Sequence, residues 1–193
     1  MTIFCSPNLY LALAHYPVVN KRGEIIASAV TNLDIHDMAR AARTYGARAL
    51  YVITPLADQQ SLVKTLVSHW TTGFGSVYNS NRCQALEMVC IQDTLEKVIE
   101  DIALRGEGHP RTVVTSAREH SGGISISRFR ELLETGTPYL LVFGTAWGLS
   151  QDCMDAADHI LEPIRGNTAY NHLSVRSATS IILDRLLGRS SLE

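Results

Sequence analysis

Short apolar segments that alternate with amphipathic ones constrain the fold of this chain more than any other feature. RALYVIT (48–54) and YLLVFG (139–144) are almost uninterrupted apolar runs of strand length, whereas DQQSLVKTLVSHW (58–70) has the apolar spacing of a helix with one buried face. Strands that are buried on both faces and separated by helices form parallel βαβ units. We therefore predict an α/β fold with one doubly wound, mostly parallel sheet and helices on both of its faces.

The same patterns give the order of elements along the chain. The predicted strands span 9–18, 48–54, 86–92, 112–116, 139–144 and, more weakly, 159–164. The predicted helices span 34–46, 58–70, 94–106, 125–136 and 173–187, with Asn32 or Asp34 as the N-terminal cap of the first. The longest segment predicted as a loop is 71–82. No linker or repeat divides the sequence, so residues 1–191 are predicted to form a single domain, with 192–193 as a cloning scar.

The composition is that of an ordinary globular protein with a small negative charge. Hydrophobic residues make up 46% of the chain, charged residues 19%, and a formal net charge of −2 provides no global positive field to attract nucleic acid. Contact with RNA must therefore come from a local patch. The basic candidates for phosphate binding are Lys21, Arg22, Arg40, Arg43, Arg118 and Arg176. The aromatic candidates for base stacking are Trp70, Phe74, Tyr78 and Trp147.

The cysteines predict neither a metal site nor a disulfide framework. Cys5, Cys83, Cys90 and Cys153 form no C-x-x-C pair and have no ligand spacing with histidine. The N-terminal apolar run lacks the basic flank of a signal peptide, and no stretch reaches the ~20 apolar residues of a membrane helix. We expect a cytoplasmic protein that binds no metal and no membrane.

Three polar segments directly follow predicted strands, at the positions where chemistry is expected in such a fold. They are VTSAREHSGG (114–123), FGTAWGLS (143–150) and EPIRGNTAYNHLSVRSA (162–178). Ligands of open parallel sheets bind beyond the carboxyl ends of the strands, and glycine there lets the backbone approach a ligand closely. Neither a G-x-G-x-x-G nor a G-x-x-x-x-G-K-[ST] motif is present. The three segments together predict a nucleotide-like ligand outside the standard dinucleotide and nucleoside-triphosphate classes.

The order of these segments resembles the three C-terminal motifs of the SPOUT superfamily, the trefoil-knotted S-adenosylmethionine-dependent RNA methyltransferases. The similarity rests on FGTAWGLS, EPI and NHLSVRSATSIIL, which follow one another as the glycine-containing loop, the Ile/Pro loop and the polar helix start do in that superfamily. Upstream, Asp34, Arg40 and Gly46 keep the spacing of the branch that methylates ribose 2′-hydroxyl groups. The matches together span most of residues 30 to 187.

This resemblance implies a C-terminal trefoil knot, a homodimer formed through the last helix, and S-adenosylmethionine as the cofactor. Backbone groups near Ile164, near Leu173 and in the 144–149 loop are expected to hold the adenine and ribose. The residues that the resemblance places around the cofactor are Thr115, Ser116, Gly144, Thr145, Gly148, Leu149, Ile164, Asn171, Leu173 and Ser174.

Arg40 and Asp34 are the predicted catalytic residues. Arginine does not readily act as a base, because its pKa exceeds ~12, and it is well suited to binding a phosphate by two parallel hydrogen bonds. Asp34 or Asp37 is then the candidate general base. Arg118 and Arg176 join Arg40 as predicted substrate-binding residues. The acceptor in structured RNA, either tRNA or rRNA, is a ribose 2′-hydroxyl or a guanine ring nitrogen. Asp34 stands where the ribose methylases typically carry asparagine, which leaves the acceptor atom open.

Two other functions remain open on the residues alone. A non-catalytic knotted protein that binds RNA or nucleotides would bind the cofactor without transferring its methyl group. An unrelated nucleotide-binding α/β enzyme, such as a phosphotransferase, would bind nucleoside phosphates and would not respond to S-adenosylhomocysteine.

Overall fold

A six-stranded parallel sheet forms the centre of the computed structural model, which describes residues 7–189. Its strands, named in chain order, are β1 (Leu9–Ala14), β4 (Leu50–Ile53), β5 (Val89–Gln92), β6 (Arg111–Thr115), β7 (Tyr139–Gly144) and β8 (His159–Leu161). They lie in the order β5-β4-β1-β7-β6-β8, and every neighbouring pair is parallel. A short antiparallel hairpin, β2 (Val18–Val19) with β3 (Ile25–Ile26), follows β1.

Helices cover both faces of this sheet, so the predicted doubly wound α/β architecture is confirmed. The helices are α1 (Asn32–Thr44), α2 (Ala57–Thr71), α3 (Phe74–Tyr78), α4 (Ser80–Leu86), α5 (Leu95–Ile102), α6 (Ile126–Leu133), α7 (Gln151–Asp155) and α8 (Val175–Leu187). A π-type turn, Ala103–Glu107, extends α5. Among residues 7–189, no helix is long and apolar enough to cross a membrane.

The alternation of side chains along each strand explains the two layers of core. In β1, Leu9, Leu11 and Leu13 face one cluster, together with buried residues of α1, α6 and α8, whereas Tyr10 and Ala12 face a second cluster with α5 and α7. Successive side chains of a strand point to opposite faces of the sheet, so a central strand with helices on both sides must be apolar throughout. This requirement is why the strands could be predicted.

Several predicted boundaries were wrong. The first strand ends at Ala14 rather than Val18, because the chain turns at Tyr16–Pro17 and proline has no N–H to continue the ladder. The cap of α1 is Thr31, whose hydroxyl accepts a hydrogen bond from Asp34 N, rather than Asn32 or Asp34. The last helix begins at Val175 rather than at Leu173, with Ser174 as its cap.

The predicted loop 71–82 was also wrong, since α3 lies within it and α4 begins at Ser80. Likewise, Leu86 ends α4 instead of starting a strand, and α7 was not predicted at all. The predicted trefoil knot concerns the path of the whole C-terminal segment and stays a prediction. The predicted domain 1–191 extends beyond the described residues 7–189 at both ends, and the predicted scar at 192–193 lies outside them.

Candidate functional site

The loops that follow β6, β7 and β8 meet at the carboxyl edge of the sheet. The Asn171 side-chain amide, in the segment before α8, donates to the carbonyl of Ala117 in the β6 loop at 2.9 Å. The ring of Trp147, in the β7 loop, lies 6.4 Å from the ring of His172 in an edge-on arrangement. The structure therefore brings together the segments that carry all ten predicted cofactor residues.

Most of the predicted side-chain hydroxyls at this edge already have partners inside the protein. Thr115 Oγ1 donates to Val142 O at 3.1 Å, and Ser116 Oγ accepts from Arg118 N at 3.0 Å. Ser174 Oγ caps α8 by accepting from Ser177 N at 3.4 Å. These hydroxyls shape the loops, so a ligand at this edge would be held mainly by backbone groups and by the exposed side chains around them.

Gly144 makes the β7 loop possible through a close approach of backbone to backbone. A Cβ atom at this position would lie 2.8 Å from Leu149 N and 2.9 Å from Leu149 Cγ, which is closer than real Cβ contacts allow. The loop then passes through Ala146, at φ 53°, and Gly148, at φ 108°, before its backbone joins β2. Val19 N donates to Gly148 O at 2.9 Å and Trp147 N donates to Val19 O at 3.0 Å.

A partly buried chain of hydrogen bonds links this loop to His15, directly after β1. Thr145 Oγ1 lies 2.5 Å from Ser28 Oγ, and Ser28 Oγ lies 2.9 Å from His15 Nδ1. Thr145 Oγ1 is also 3.0 Å from the carbonyl of Ala14. His15 is 1% exposed, and its burial lowers the pKa of the imidazole from 6.5 to about 4, so the ring is neutral at physiological pH.

Asp34 and Arg176, which were predicted for separate roles, form an ion pair. Arg176 Nη1 donates to Asp34 Oδ1 at 3.0 Å, and Thr31 Oγ1 donates to Asp34 Oδ2 at 2.6 Å. Arg176 Nε also lies 3.6 Å from Asp37 Oδ2. Both carboxylate oxygens of the buried Asp34 are thus hydrogen-bonded, which suits a residue that positions Arg176. Its role as general base stays a prediction.

Arg40 lies in a groove between α1 and α8 with a volume of about 460 Å³. The groove is lined by Asp37, Arg40, Ala41, Thr44, Tyr45, Arg176, Ser177 and Ser180. It adjoins the carboxyl edge of the sheet, because Arg176 is two residues beyond the cap Ser174. Two of the predicted substrate-binding residues, Arg40 and Arg176, are therefore brought together. The third, Arg118, is exposed in the loop after β6 and does not line this groove.

The residues at the carboxyl edge fit the chemistry of an adenosyl group. Trp147, Tyr170 and Leu173 are 50%, 77% and 44% exposed, and such apolar surface is what a purine ring covers. They stand beside the loop backbone that Gly144 brings close and beside the Asn171 amide. Within the part of the chain that the structure describes, no three metal-ligating side chains cluster.

His15 and Ser28 also belong to this candidate site, and neither was predicted. His15 is the one side chain in the apolar run LYLALAHYPVV whose ordinary pKa lies near neutral pH, and that was the available signal. Ser28 gave no signal, because its contact with Thr145 spans 117 residues of sequence. The contact exists because β1 pairs with β7, a neighbour that the order of elements does not reveal.

Comparison with known proteins identifies one family. The model of a family described as SAM-dependent RNA methyltransferase matches residues 8–188.

Three curated relatives are similar to the chain. A tRNA (guanine-N(1)-)-methyltransferase of Nitratidesulfovibrio vulgaris is 49% identical over 181 residues, which are 94% of this chain and 42% of that protein. A protein of the same name from Oleidesulfovibrio alaskensis is 46% identical with the same coverage. An uncharacterized protein of Aquifex aeolicus is 38% identical over 97% of this chain and 92% of its own length. The chain thus spans about two fifths of the two named relatives.

Solved structures share the fold at low sequence identity. A putative methylase family protein from Neisseria gonorrhoeae has a TM-score of 0.64 at 19% identity, over 97% of this chain and 84% of that one. The A. aeolicus TrmH/SpoU tRNA modifying enzyme has a TM-score of 0.55 at 20% identity, over 94% and 74%. The SpoU methyltransferase AviRb from Streptomyces viridochromogenes, in complex with AdoMet, has a TM-score of 0.57 at 18% identity, over 96% and 59%.

Proposed function

This chain belongs to the family of S-adenosylmethionine-dependent RNA methyltransferases, and we propose that it transfers the methyl group of that cofactor to a nucleotide of structured RNA. The observation that carries the proposal is the meeting of the β6, β7 and β8 loops at one edge of the sheet. That edge adjoins a groove with two arginines, Arg40 and Arg176. A cofactor site and a phosphate-binding groove side by side are what methyl transfer to RNA requires.

We assign cofactor binding to the backbone of the 144–149 loop and of the segment around Ile164 and Leu173. The internal hydrogen bonds of Thr115, Ser116 and Ser174 support this assignment, because they leave backbone groups as the principal donors and acceptors for a ligand. Trp147 and Tyr170 would cover the adenine. Thr145, held by Ser28 and Ala14, would keep the loop in place without contributing a free hydroxyl.

Arg40 and Arg176 are assigned to the RNA. When bound, the cofactor supplies a methyl group on a positively charged sulfur, so the protein must align the acceptor and assist the loss of its proton. Arg40 is exposed in the groove and can bind a phosphate, while Asp34 fixes the direction of the Arg176 guanidinium. Arg118, in the β6 loop, would contact RNA beyond the groove.

We propose tRNA as the first substrate class to test, since two relatives carry tRNA in their names. Those names also contain guanine N1, yet more than half of each relative lies outside the matched region. The named reaction therefore belongs to a longer protein than the segment compared. A ribose 2′-hydroxyl and a guanine ring nitrogen both remain acceptors to be distinguished by analysis of the methylated nucleoside.

A homodimer through α8 and a cytoplasmic location complete the proposal. α8 packs against α1 and α6, and the groove beside it is open along the helix. The free thiols Cys83, Cys90 and Cys153 are compatible with a reducing compartment.

Calorimetric titration of the purified protein with S-adenosylmethionine and S-adenosylhomocysteine tests the cofactor part, with ATP and NAD as controls. Binding of the first two ligands alone is expected. Incubation with labelled S-adenosylmethionine and unmodified tRNA, followed by nucleoside analysis, then tests transfer and identifies the acceptor. Binding without transfer to any RNA would favour a non-catalytic knotted protein. No binding by a protein shown to be folded, with RNA present or absent, would contradict the proposal.

A further inference from the structure

Helix α3 presents its large apolar side chains to solvent. Phe74, Val77 and Tyr78 are 78%, 87% and 77% exposed. They are three of the five residues of α3. A surface helix normally buries such residues and exposes its small ones. Here the arrangement is reversed, because the residue that α3 buries is Gly75.

Two glycines produce this reversal. A Cβ atom at Gly75 would lie 2.6 Å from Trp70 Cε3, and one at Gly73 would lie 2.7 Å from His69 O. Any side chain at either position would push α3 away from the end of α2. The glycines therefore let α3 lie flat against α2, and this packing turns Phe74 and Tyr78 outward.

The two exposed rings form one continuous surface, which we call the aromatic platform (Phe74 and Tyr78). Their centroids are 6.3 Å apart and their planes differ by 22°, because the residues stand one helical turn apart. The rings are stacked on each other and still mostly exposed. Burial of such a surface is favourable, so its exposure in the free protein indicates that something covers it.

A guanidinium group lies close to the packing contact of α3, and a histidine connects this contact to α1, the helix that carries Arg40. The Arg82 guanidinium lies 4.4 Å from the centroid of the Trp70 ring, the ring against which Gly75 of α3 packs. The His36 ring of α1 lies 5.6 Å from the same Trp70 ring. Burial is the main cause that lowers the pKa of His36, and the charges of Arg82 and Arg40 lower it further. Arg40 stands one helical turn after His36 on α1, so His36 and Trp70 connect the groove that Arg40 lines with the helix that carries the platform.

We propose that the aromatic platform stacks an unpaired base of the RNA whose phosphates bind at Arg40. This inference rests on the proposed function, because it extends the same RNA site across α1 to α3. Exposed rings beside arginines are the recognition chemistry of single-stranded nucleic acid. A protein partner is disfavoured by size, since three exposed side chains fall far short of the about 800 Å² per partner that a stable interface buries.

Fluorescence anisotropy with a labelled RNA hairpin tests the platform directly. Phe74→Ala and Tyr78→Ala should each weaken binding about fivefold to 150-fold, the range for loss of one stacked base. Val77→Ala is the matched control, because it removes an equally exposed apolar side chain from the same helix without removing a ring. Tyr78→Phe keeps the ring and should bind like the wild type. A fully paired duplex of the same length should show no difference among the variants.

Sedimentation and S-adenosylhomocysteine titration of the same variants separate the possible outcomes. Equal RNA binding by the wild type and both ring variants would overturn the platform and leave the proposed function intact. A change of oligomeric state in the ring variants, with RNA binding unchanged, would overturn it in favour of a second copy of this chain. If the wild type binds neither S-adenosylhomocysteine nor RNA, the proposed function itself fails.

Discussion

Arg176, at the start of the last helix, donates from Nη1 to Oδ1 of Asp34, in the first turn of α1, at 3.0 Å. The bond joins two residues 142 positions apart, and Arg176 lines the groove that contains Arg40. Asp34 is 9% exposed and its other oxygen accepts from Thr31, so the carboxylate holds Arg176 in one direction. This arrangement raises the question of whether Asp34 is a general base or a positioning residue.

Asp34→Asn distinguishes these two roles. An asparagine can still accept from Thr31 but loses the charge that orients Arg176, so we expect methyl transfer to slow about tenfold, or ~1.4 kcal/mol. Loss of a general base would cost about 10²–10⁴-fold instead. Asp37→Asn is the comparison variant, because Asp37 is the other candidate general base and lies 3.6 Å from the same guanidinium. A larger loss in Asp37→Asn than in Asp34→Asn would assign the base to Asp37. Single-turnover rates with saturating cofactor measure the difference, and a loss of 10³-fold would contradict a positioning role.

The sheet could be predicted because burial on both faces forces long apolar runs on its strands, such as Leu9 to Ala14. α3 could not be predicted in the same way. Phe74 and Tyr78 lie among glycine, serine and asparagine, which are typical of loops, and helical packing there depends on the contact of Gly75 with Trp70. That contact involves the end of another helix and leaves no periodic pattern in the sequence.

The candidate site shows the same division. The polar segments after β6 and β7 could be located, because the carboxyl ends of parallel strands share one edge. The hydrogen-bond partners of individual residues could not be predicted. Thr145 contacts Ser28, and Asp34 contacts Arg176, only because elements distant in sequence become neighbours in space. A sequence pattern thus predicted which segments meet at this edge of the sheet, and the fold decided which of their atoms remain available to a ligand.

Buried His15 predicts a loss of stability in mild acid. Its pKa is about 4 in the folded protein and 6.5 when unperturbed, so the unfolded chain binds more protons between these values. The free energy of unfolding should be unaffected above pH 6.5 and should fall by about 3 kcal/mol as the pH approaches 4. Urea unfolding across this range measures the effect.

His15→Asn serves as the test variant in that experiment, because its amide can replace the hydrogen bond to Ser28 without titrating. The slope of stability against pH should become shallower, although not flat, since the pKa of His36 is also lowered. An unchanged slope in the variant would contradict the assignment to His15.

Gly144→Ala should distort the cofactor loop. The added Cβ would meet Leu149 N at 2.8 Å, so the 144–149 backbone must move. We expect S-adenosylhomocysteine affinity to fall at least about tenfold, or ~1.4 kcal/mol. Gly166→Ala is the control, since a Cβ there meets nothing within 4 Å although the residue lies in the neighbouring segment. Calorimetry measures the S-adenosylhomocysteine affinity of both variants, and an affinity of Gly144→Ala equal to that of Gly166→Ala would exclude the loop from the binding site.

Asp158 should matter for stability and not for the cofactor. Its Oδ2 accepts from the backbone N–H and the hydroxyl of Thr112, at 2.8 and 3.0 Å, and its Oδ1 accepts from Arg111. These bonds join the starts of β6 and β8, at the edge of the sheet opposite the proposed site.

Asp158→Asn leaves one donor without an acceptor and should lower the free energy of unfolding by about 1–3 kcal/mol. Asp155 is an exposed carboxylate that accepts from Gln151 in its own helix, so Asp155→Asn should change the free energy of unfolding by less than ~0.5 kcal/mol. Urea unfolding with and without S-adenosylhomocysteine separates the two effects, because the ligand should stabilise both variants as much as the wild type. A smaller stabilisation of Asp158→Asn alone would show that the amino edge of the sheet influences the site.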